Sequence, residues 1–163
     1  AAPGVEEPHR AINIGLAQKV IEALGMDANR SLKPMLDLPP DRFDFRVLRL
    51  GQVELAMAFA VNDLTSTRRL FETLHWSPRE TRLLYNHRSD RPARWRSFSG
   101  WLSELPWREV VIIGDRPRRL PAASRHVRAR SLDELLGLFG DGGKLFGCGN
   151  LAGLPLALAA GDG

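Results

Sequence analysis

The spacing of hydrophobic residues changes in the middle of the chain, and the change predicts a buried strand followed by a helix. Residues 55–61 are almost entirely apolar, which is typical of a central strand in a parallel sheet. The next apolar residues recur at helical spacing, at Leu64, Leu70, Phe71 and Leu74. Asn62 or Asp63 can cap this helix, whose first N–H groups favour an anion just beyond the strand.

The first forty residues have the pattern of two helices. Residues 6–8 form a helix-start signal. Apolar residues then mark one helical face as far as Gly25, at Ile12, Leu16, Val20, Ile21 and Leu24. A second helix is predicted after Asp27, and Pro39 and Pro40 end it. Two helices cannot form a core alone, so we expect this segment to dock on the following domain or on a partner.

Strand and helix patterns alternate from residue 42 onward. An edge strand over 43–50 turns at Gly51 and Gln52 into the strand already described. Further strands are predicted at 81–85, 110–113 and 144–146, with helices at 92–105, 131–139 and 151–160. The prediction is an α/β, Rossmann-like, mostly parallel sheet with helices on both faces. The expected domains are a helical segment, 1–40, and a Rossmann-like domain, 41–163.

Polar side chains follow each predicted parallel strand. The same loops contain His87, Gly147 and Gly149, and the candidate binding residues among the polar side chains are Asn62, Asp63, Ser66, Asn86, Arg88, Asp90, Arg91, Asp115, Arg116 and Asn150. The carboxyl ends of parallel strands meet at one edge of a sheet, where ligands bind in open α/β folds. These residues therefore form the predicted binding site, although a helix cap or a surface ion pair explains any one of them taken alone.

The charge of the chain favours an anionic ligand. The net charge is +4, the sequence pI is near 10, and arginines are concentrated between Arg79 and Arg130. No zinc-finger spacing, helix-turn-helix or alternating aromatic pattern accompanies them, so we expect no nucleic-acid partner. The pairs Asp90–Arg91 and Asp115–Arg116 suit an amino acid, because arginine can grip a carboxylate while aspartate accepts an ammonium group.

Other kinds of chemistry find little support in the sequence. The four histidines and the single cysteine lack metal-ligand spacing, so no metal site is expected. Cys148 fits a small buried residue better than a nucleophile, and one cysteine fits a reducing compartment. The glycine-rich stretch 147–153 lacks the lysine of a P-loop and is a weak phosphate signal. No apolar run reaches membrane-spanning length, so we expect this piece to be soluble.

Four stretches together resemble a known family: FAVNDLTSTRRLFETL, LLYNHRSDRPARWRSF, VVIIGDRPRRLP and GGKLFGCGNLAGLPLAL. In order and spacing they are similar to the C-terminal part of the ligase subunit of poly-γ-glutamate synthase, the PgsB or CapB capsule-biosynthesis family of the Mur ligase superfamily. The stretch EEPHRAINIGLAQKVIEALGMD resembles the last helix of that family's central ATP-binding domain.

The resemblance implies an ATP-dependent amide ligase that activates a γ-carboxylate as an acyl phosphate, which the amine of another glutamate attacks. It implies that this domain positions the incoming amino acid, with glutamate or poly-γ-glutamate as ligand. ATP and Mg²⁺ belong to the full-length enzyme, and we expect this chain alone to bind neither, because it has no P-loop. The catalytic residues of the acyl-phosphate chemistry are unknown and are expected outside this chain.

The same resemblance implies partners and a location. Expected partners are the missing N-terminal and central ATPase domains, membrane subunits of the synthase complex and a second copy in a homo-oligomer. The expected location is cytoplasmic, on the cytoplasmic face of the membrane. The alternative hypothesis is a non-catalytic Rossmann-like binding or assembly module for an anionic partner.

Overall fold

The computed structural model describes residues 8–37 and 43–160. The chain divides into two compact units, Ala1–Asp41 and Arg42–Gly163. The predicted start signal at residues 6–8 lies partly outside the described residues, and the two prolines at 39 and 40 lie wholly outside them.

The first unit consists of two helices, α1 (Pro8–Ala23) and α2 (Ala28–Leu36), at the predicted positions. Asp27 caps α2, because its carboxylate accepts hydrogen bonds from the backbone N–H groups of Asn29 at 2.9 Å and Arg30 at 3.2 Å. Of the described members of the predicted apolar face, Leu16 and Val20 in α1 and Leu24 directly after it are exposed.

Within residues 43–160, the second unit is a six-stranded sheet with four α-helices and a short 3-10 helix, Pro78–Glu80. Its strands are β1 (Arg46–Leu50), β2 (Val53–Met57), β3 (Thr81–His87), β4 (Glu109–Gly114), β5 (Ser124–His126) and β6 (Gly143–Gly149). Its helices are α3 (Leu64–Thr73), α4 (Pro92–Glu104), α5 (Leu132–Gly137) and α6 (Leu154–Ala160). The strand order is β1-β2-β6-β3-β4-β5, and only the β1–β2 pair is antiparallel. The predicted fold class and edge hairpin are therefore confirmed.

Alternate residues of the central strands pack on opposite faces of the sheet. In β4, Val110 and Ile112 join the core under α3 and α4, whereas Val111 and Ile113 join the core under α5 and α6. Such two-sided burial requires apolar residues at successive positions. The continuous apolar runs in the sequence follow from this requirement.

Several boundaries differ from those predicted, and one strand was not predicted. The strand predicted over 55–61 ends at Met57, because a turn in which Val61 N–H donates to the Ala58 carbonyl at 3.2 Å follows it. The last helix begins at Leu154 and not at residue 151. The short strand β5 was not predicted, because its three residues Ser-Arg-His have no apolar alternation.

No helix among the described residues is long and apolar enough to cross a membrane.

Candidate functional site

A crevice forms where β3 and β6 end side by side. The two strands are parallel neighbours. The chain leaves β3 toward α4 on one face of the sheet and leaves β6 toward α6 on the other. Adjacent strands whose connections diverge in this way leave an opening at their carboxyl ends, where open α/β proteins bind ligands.

Asn86 and Asn150 join the two strand ends through reciprocal hydrogen bonds. The Asn86 side-chain amide donates to the carbonyls of Asn150 at 2.6 Å and Ala152 at 2.9 Å. The Asn150 side-chain amide donates to the Asn86 carbonyl at 2.9 Å. Both residues are buried, so these bonds satisfy polar groups that would otherwise be costly to bury. The pair fixes the path of the chain from β6 to α6.

The glycines of β6 allow this close packing and do not form a phosphate cradle. A Cβ at Gly149, whose φ is +98°, would lie 2.6 Å from the Asn86 carbonyl oxygen. A Cβ at Gly147 would collide with the ring of Phe59. Both glycines belong to the strand and are buried, with their space filled by protein. Cys148 between them is also buried, and burial raises the pKa of its thiol, so it is a core residue and not a nucleophile.

A cleft of about 340 Å³ opens beside the asparagine pair. It is lined by the ends of β3 and β4 and by the start of α6, through Asn86, His87, Arg88, Ile113, Gly114, Asp115, Ala129, Ala152, Gly153, Leu154 and Pro155. Its charged groups are the guanidinium of Arg88 and the carboxylate of Asp115. A cationic and an anionic group on one cleft match the two charges of an amino acid.

Arg88 forms a fork-to-fork ion pair with Asp90. Arg88 Nε donates to Asp90 Oδ1 at 3.0 Å and Nη2 to Oδ2 at 2.6 Å. The guanidinium lowers the pKa of the Asp90 carboxyl, and the carboxylate raises the pKa of Arg88. Both side chains are exposed. Such a pair holds the guanidinium flat without removing it from solvent, and a ligand carboxylate can compete for it.

Asp115 holds the loop between β3 and α4. Its carboxylate accepts hydrogen bonds from the Ser89 hydroxyl at 2.6 Å and the Ser89 backbone N–H at 2.7 Å, and these bonds lower its pKa. The Nδ1 atom of His87 lies 2.9 Å from the Asp115 carbonyl, and the His87 ring meets the Trp95 ring edge-on. The end of β4 is thereby joined to the end of β3.

Asp63, one of the two predicted caps, begins α3. Its carboxylate accepts from the Ser66 backbone N–H at 2.8 Å, and the hydrogen bonds from Ser66 lower its pKa. The Thr67 hydroxyl donates to the Asp63 carbonyl at 2.8 Å. Asn62 does not cap the helix, because its carbonyl and its side-chain oxygen both accept hydrogen bonds from Arg94.

Arg94 is the main polar residue of this edge that the sequence analysis missed. From the first turn of α4, its guanidinium donates to the carbonyls of Val61 and Asn62 and to the side-chain oxygens of Asn62 and Asn150. The signal available was its position on the buried face of the helix, four residues before Phe98. An arginine on an apolar helical face needs buried acceptors.

The predicted site residues therefore separate into groups. Asn86, Arg88 and Asp115 line the cleft, whereas Asn62 and Asn150 meet at Arg94. The side chains of Asp90, Asp63 and Ser66 are placed by the ion pair and the helix cap described above. The side chains of Arg91 and Arg116 are exposed, and no hydrogen bond or ion pair to them is found within 8–37 and 43–160.

The described part of the chain contains no group of three His, Cys, Asp or Glu residues able to hold a metal ion. In the glycine-rich stretch, Gly147 and Gly149 are packed against protein, whereas a Cβ at Gly153 would meet no atom within 4 Å, and Gly153 lines the cleft.

Comparison with known proteins gives a consistent family. Residues 45–161 match the Poly-gamma-glutamate synthase CapB C-terminal domain. PGA synthase CapB of Bacillus subtilis (strain 168) is 27% identical over 164 residues, which cover 86% of this chain and 41% of that protein. The chain thus spans about two fifths of this curated relative.

Solved structures of ligases share the fold. One is the UDP-N-acetylmuramoylalanyl-D-glutamyl-2,6-diaminopimelate–D-alanyl-D-alanyl ligase of Acinetobacter baumannii, with a TM-score of 0.54 and 13% identity over 96% of this chain and 36% of that one. Another is a crystal structure of MurF from the same organism, with a TM-score of 0.55 and 14% identity over 94% of this chain and 37% of that one. The family match covers most of the chain, and the resemblance seen in its sequence is confirmed: the chain belongs to the poly-gamma-glutamate synthase CapB C-terminal domain family.

Proposed function

We propose that this chain is the C-terminal domain of an ATP-dependent amide ligase that joins glutamates through γ-amide bonds, and that it positions the incoming amino acid. The observation that carries the proposal is the cleft at the ends of β3 and β4, which presents Arg88 and Asp115 together. Family membership supplies the reaction class, and the cleft supplies a place for a ligand with one cationic and one anionic end.

Different residues of the cleft would bind the different charged groups of a glutamate. Arg88 would exchange its exposed partner Asp90 for the ligand's carboxylate, which offers the same two-oxygen geometry. Asp115, kept ionised by its bonds from Ser89, would accept the ammonium group. Arg116, which is exposed beside it, would attract a second carboxylate. The ammonium group would lose one proton to solvent before attack, and its contact with Asp115 would hold the resulting amine in a fixed direction.

ATP, when bound by the rest of the enzyme, supplies the phosphoryl group that activates the γ-carboxylate. We place ATP, Mg²⁺ and the residues of that step in the N-terminal and central domains that precede this one. Membrane subunits of the synthase are proposed as further partners, with the domain on the cytoplasmic face of the membrane. A homo-oligomer is also proposed, because the exposed face of α1 would favour association.

The experiment is an assay of the full-length synthase in which glutamate and ATP are varied separately. Replacing Arg88 by Ala should raise the glutamate KM, or lower kcat/KM for glutamate, by roughly ten- to a hundred-fold and leave the ATP KM nearly unchanged. Arg88→Lys should recover only part, because an ammonium group cannot form the bidentate contact. Arg79→Ala is the matched control, since Arg79 is exposed just before β3, at the opposite end of the strand.

An unchanged glutamate dependence in folded Arg88→Ala enzyme would refute the proposed acceptor site. The domain would then be better described by the alternative hypothesis, a binding or assembly module for an anionic partner.

A further inference from the structure

Arg94 connects three segments that are distant in the sequence. Its Nη2 atom donates to the Val61 carbonyl at 2.6 Å and to the Asn62 side-chain oxygen at 3.0 Å. Its Nη1 atom donates to the Asn150 side-chain oxygen at 3.0 Å. The segment after β2, the first turn of α4 and the segment after β6 therefore share one guanidinium.

Arg94 has aromatic, neutral and charged neighbours besides its hydrogen-bond acceptors. Its guanidinium lies 6.0 Å from the centre of the Phe98 ring, and it interacts electrostatically with the buried side chains of Tyr85 and Cys148 in the strands. The charged groups that interact with it are Arg91, which directly precedes α4, and Asp63, which caps α3. Burial lowers its pKa, yet an arginine stays protonated in proteins. Its geometry is thus set by four directed hydrogen bonds.

These hydrogen bonds lead to the wall of the cleft. Asn150 accepts from Arg94 with its side-chain oxygen and donates to the Asn86 carbonyl with its amide. The Asn86 side-chain amide in turn donates a hydrogen bond to the Ala152 carbonyl. Ala152 and the three residues after it line the cleft. Arg94 itself does not line the cleft. A change at Arg94 can reach the cleft through Asn150 and Asn86.

We propose that Arg94 is a positioning residue, which fixes the wall of the acceptor cleft formed by the start of α6 by orienting Asn150. Arginine is suited to this role because its planar fork donates in several fixed directions at once, whereas lysine donates from a single atom. The inference rests on the proposed function for its kinetic effect, but its structural effect on residues 150–153 can be measured independently.

The kinetic experiment uses the full-length synthase with Arg94→Gln and Arg94→Lys. Arg96→Gln is the matched control, because Arg96 is exposed on the same helix. Arg94→Gln should raise the glutamate KM about tenfold, with a change of less than about twofold in the ATP KM. The lost bond to Asn150 shapes the acceptor cleft, whereas the lost bonds to Val61 and Asn62 are to residues that do not line it. Arg94→Lys should be intermediate. Equal loss for both substrates would overturn the proposal.

The structural experiment is amide hydrogen exchange on the same variants. Exchange in Arg94→Gln should accelerate at the amides of Asn150 and Ala152, which are bonded to the Asn86 and Asn150 carbonyls, while the central strand β3 stays protected. Acceleration spread over β3 would indicate general loss of stability and would overturn the positioning role. Unchanged exchange at both amides would overturn it too.

The two proposals can fail separately. If Arg88→Ala alters glutamate use but Arg94→Gln behaves like Arg96→Gln, the acceptor site stands and the role of Arg94 is refuted. If Arg88→Ala has no effect and exchange at residues 150–153 still responds to Arg94, the structural coupling stands without the proposed acceptor.

Discussion

Arg82 and Arg94 belong to the same sheet domain but lie at opposite ends of its strands, and their charges are compensated differently. Arg82, at the start of β3, is buried. It forms ion pairs with Asp141 and, at 3.4 Å, with Glu109, and it donates to the Gly142 carbonyl at 2.6 Å. Arg94 is half-buried, and all its hydrogen-bond acceptors are neutral amide oxygens.

The ion pairs around Arg82 extend across the amino ends of the strands. Arg108 shares the Asp141 carboxylate at 2.7 Å, and Arg125 pairs with Glu109. Carboxylates therefore balance most of the positive charge, and the network ties β3, β4 and the turn before β6 together. The carboxylates of Asp141 and Glu109 offset two of the three guanidinium charges, and a cluster neutralised to this extent supports the fold and attracts few ligands.

The charge of Arg94 is not neutralised in this way. Neutral oxygens accept hydrogen bonds from its N–H groups but do not cancel its positive charge. Because the guanidinium is partly buried, water screens this charge less than it would screen an exposed one. Arg91 and Arg116 add exposed positive charge at the same end, and Arg88 there is paired only with the exposed carboxylate of Asp90. The number of arginines alone therefore does not locate a ligand site. The burial of each arginine and the acceptors of its hydrogen bonds together distinguish structural support from an edge that attracts anions.

The largest expected effect comes from Gly149→Ala, which disturbs the carboxyl end by steric conflict alone. The new Cβ would lie 2.6 Å and 2.9 Å from backbone atoms of Asn86, at a φ of +98°. Backbone strain and overpacking together should lower the free energy of unfolding by about 2–5 kcal/mol. Urea denaturation followed by tryptophan fluorescence measures it.

Gly100→Ala is the matched control, because a Cβ there would meet no atom within 4 Å. Because Gly100 lies in a helix, where alanine is more favourable than glycine, the substitution should leave the free energy of unfolding unchanged or raise it by about 0.5–1 kcal/mol. Equal stability of the two variants would show that the strand end is not packed as tightly as described.

The second-largest loss of stability is expected from Arg82→Met, at the amino ends of the strands. It removes the buried centre of the ion-pair network and should lower the free energy of unfolding by about 2–3 kcal/mol, less than for a fully buried pair because Asp141 can return to water. Glutamate use by full-length enzyme should stay unchanged. Arg108→Met, which removes an exposed partner of the same carboxylate, should cost less than about 1 kcal/mol. A large loss of glutamate affinity in Arg82→Met would contradict the assignment of structural support to the amino ends of the strands and of ligand binding to their carboxyl ends.

The smallest effect is that of Asp63→Ala at the start of α3. Loss of the cap should lower the free energy of unfolding by about 1 kcal/mol at neutral pH. The pKa of Asp63 is lowered in the folded state, so the stabilisation is fully present above the ordinary carboxyl pKa of about 3.9 and is lost as pH falls through the lower folded value.

Denaturation of both forms at several pH values tests this prediction. Asp63→Asn is the control, because its side-chain oxygen can cap the helix without titrating. A difference between wild type and Asp63→Ala that persists at low pH would contradict a cap formed by the carboxylate.

Much of the architecture was predictable, because strands buried on both faces leave long apolar runs in the sequence. Residues 81–85 and 110–113 each lie within an observed strand. The edge hairpin turns at Gly51 and Gln52, as expected. The strand β5 was not predictable from its own residues. It is stabilised by pairing with Val110–Ile112, and a local pattern carries no record of such a neighbour.

The site was predictable only as a set of residues. The rule that ligands bind at carboxyl ends brought together Asn86, Arg88 and Asp115, which line one cleft. It could not separate these residues from Asn62 and Asn150, which contact Arg94. The sequence could not assign a role to the glycines at 147 and 149, since a glycine needed for packing and one needed for a phosphate look the same in a sequence.

The sequence by itself determined the strand-and-helix order apart from β5, and it determined the polar strand ends, because hydrophobic period and turn residues act over a few neighbouring positions. The family followed from the resemblance of four stretches of the sequence. Only the tertiary structure decided which acceptor each arginine reaches. Arg94 and Asn150 are 56 positions apart, and Arg82 and Asp141 are 59 positions apart. Hydrogen-bond geometry over a few ångströms decides whether an arginine's charge is neutralised or left to act on a ligand, and the packing of the sheet sets that geometry.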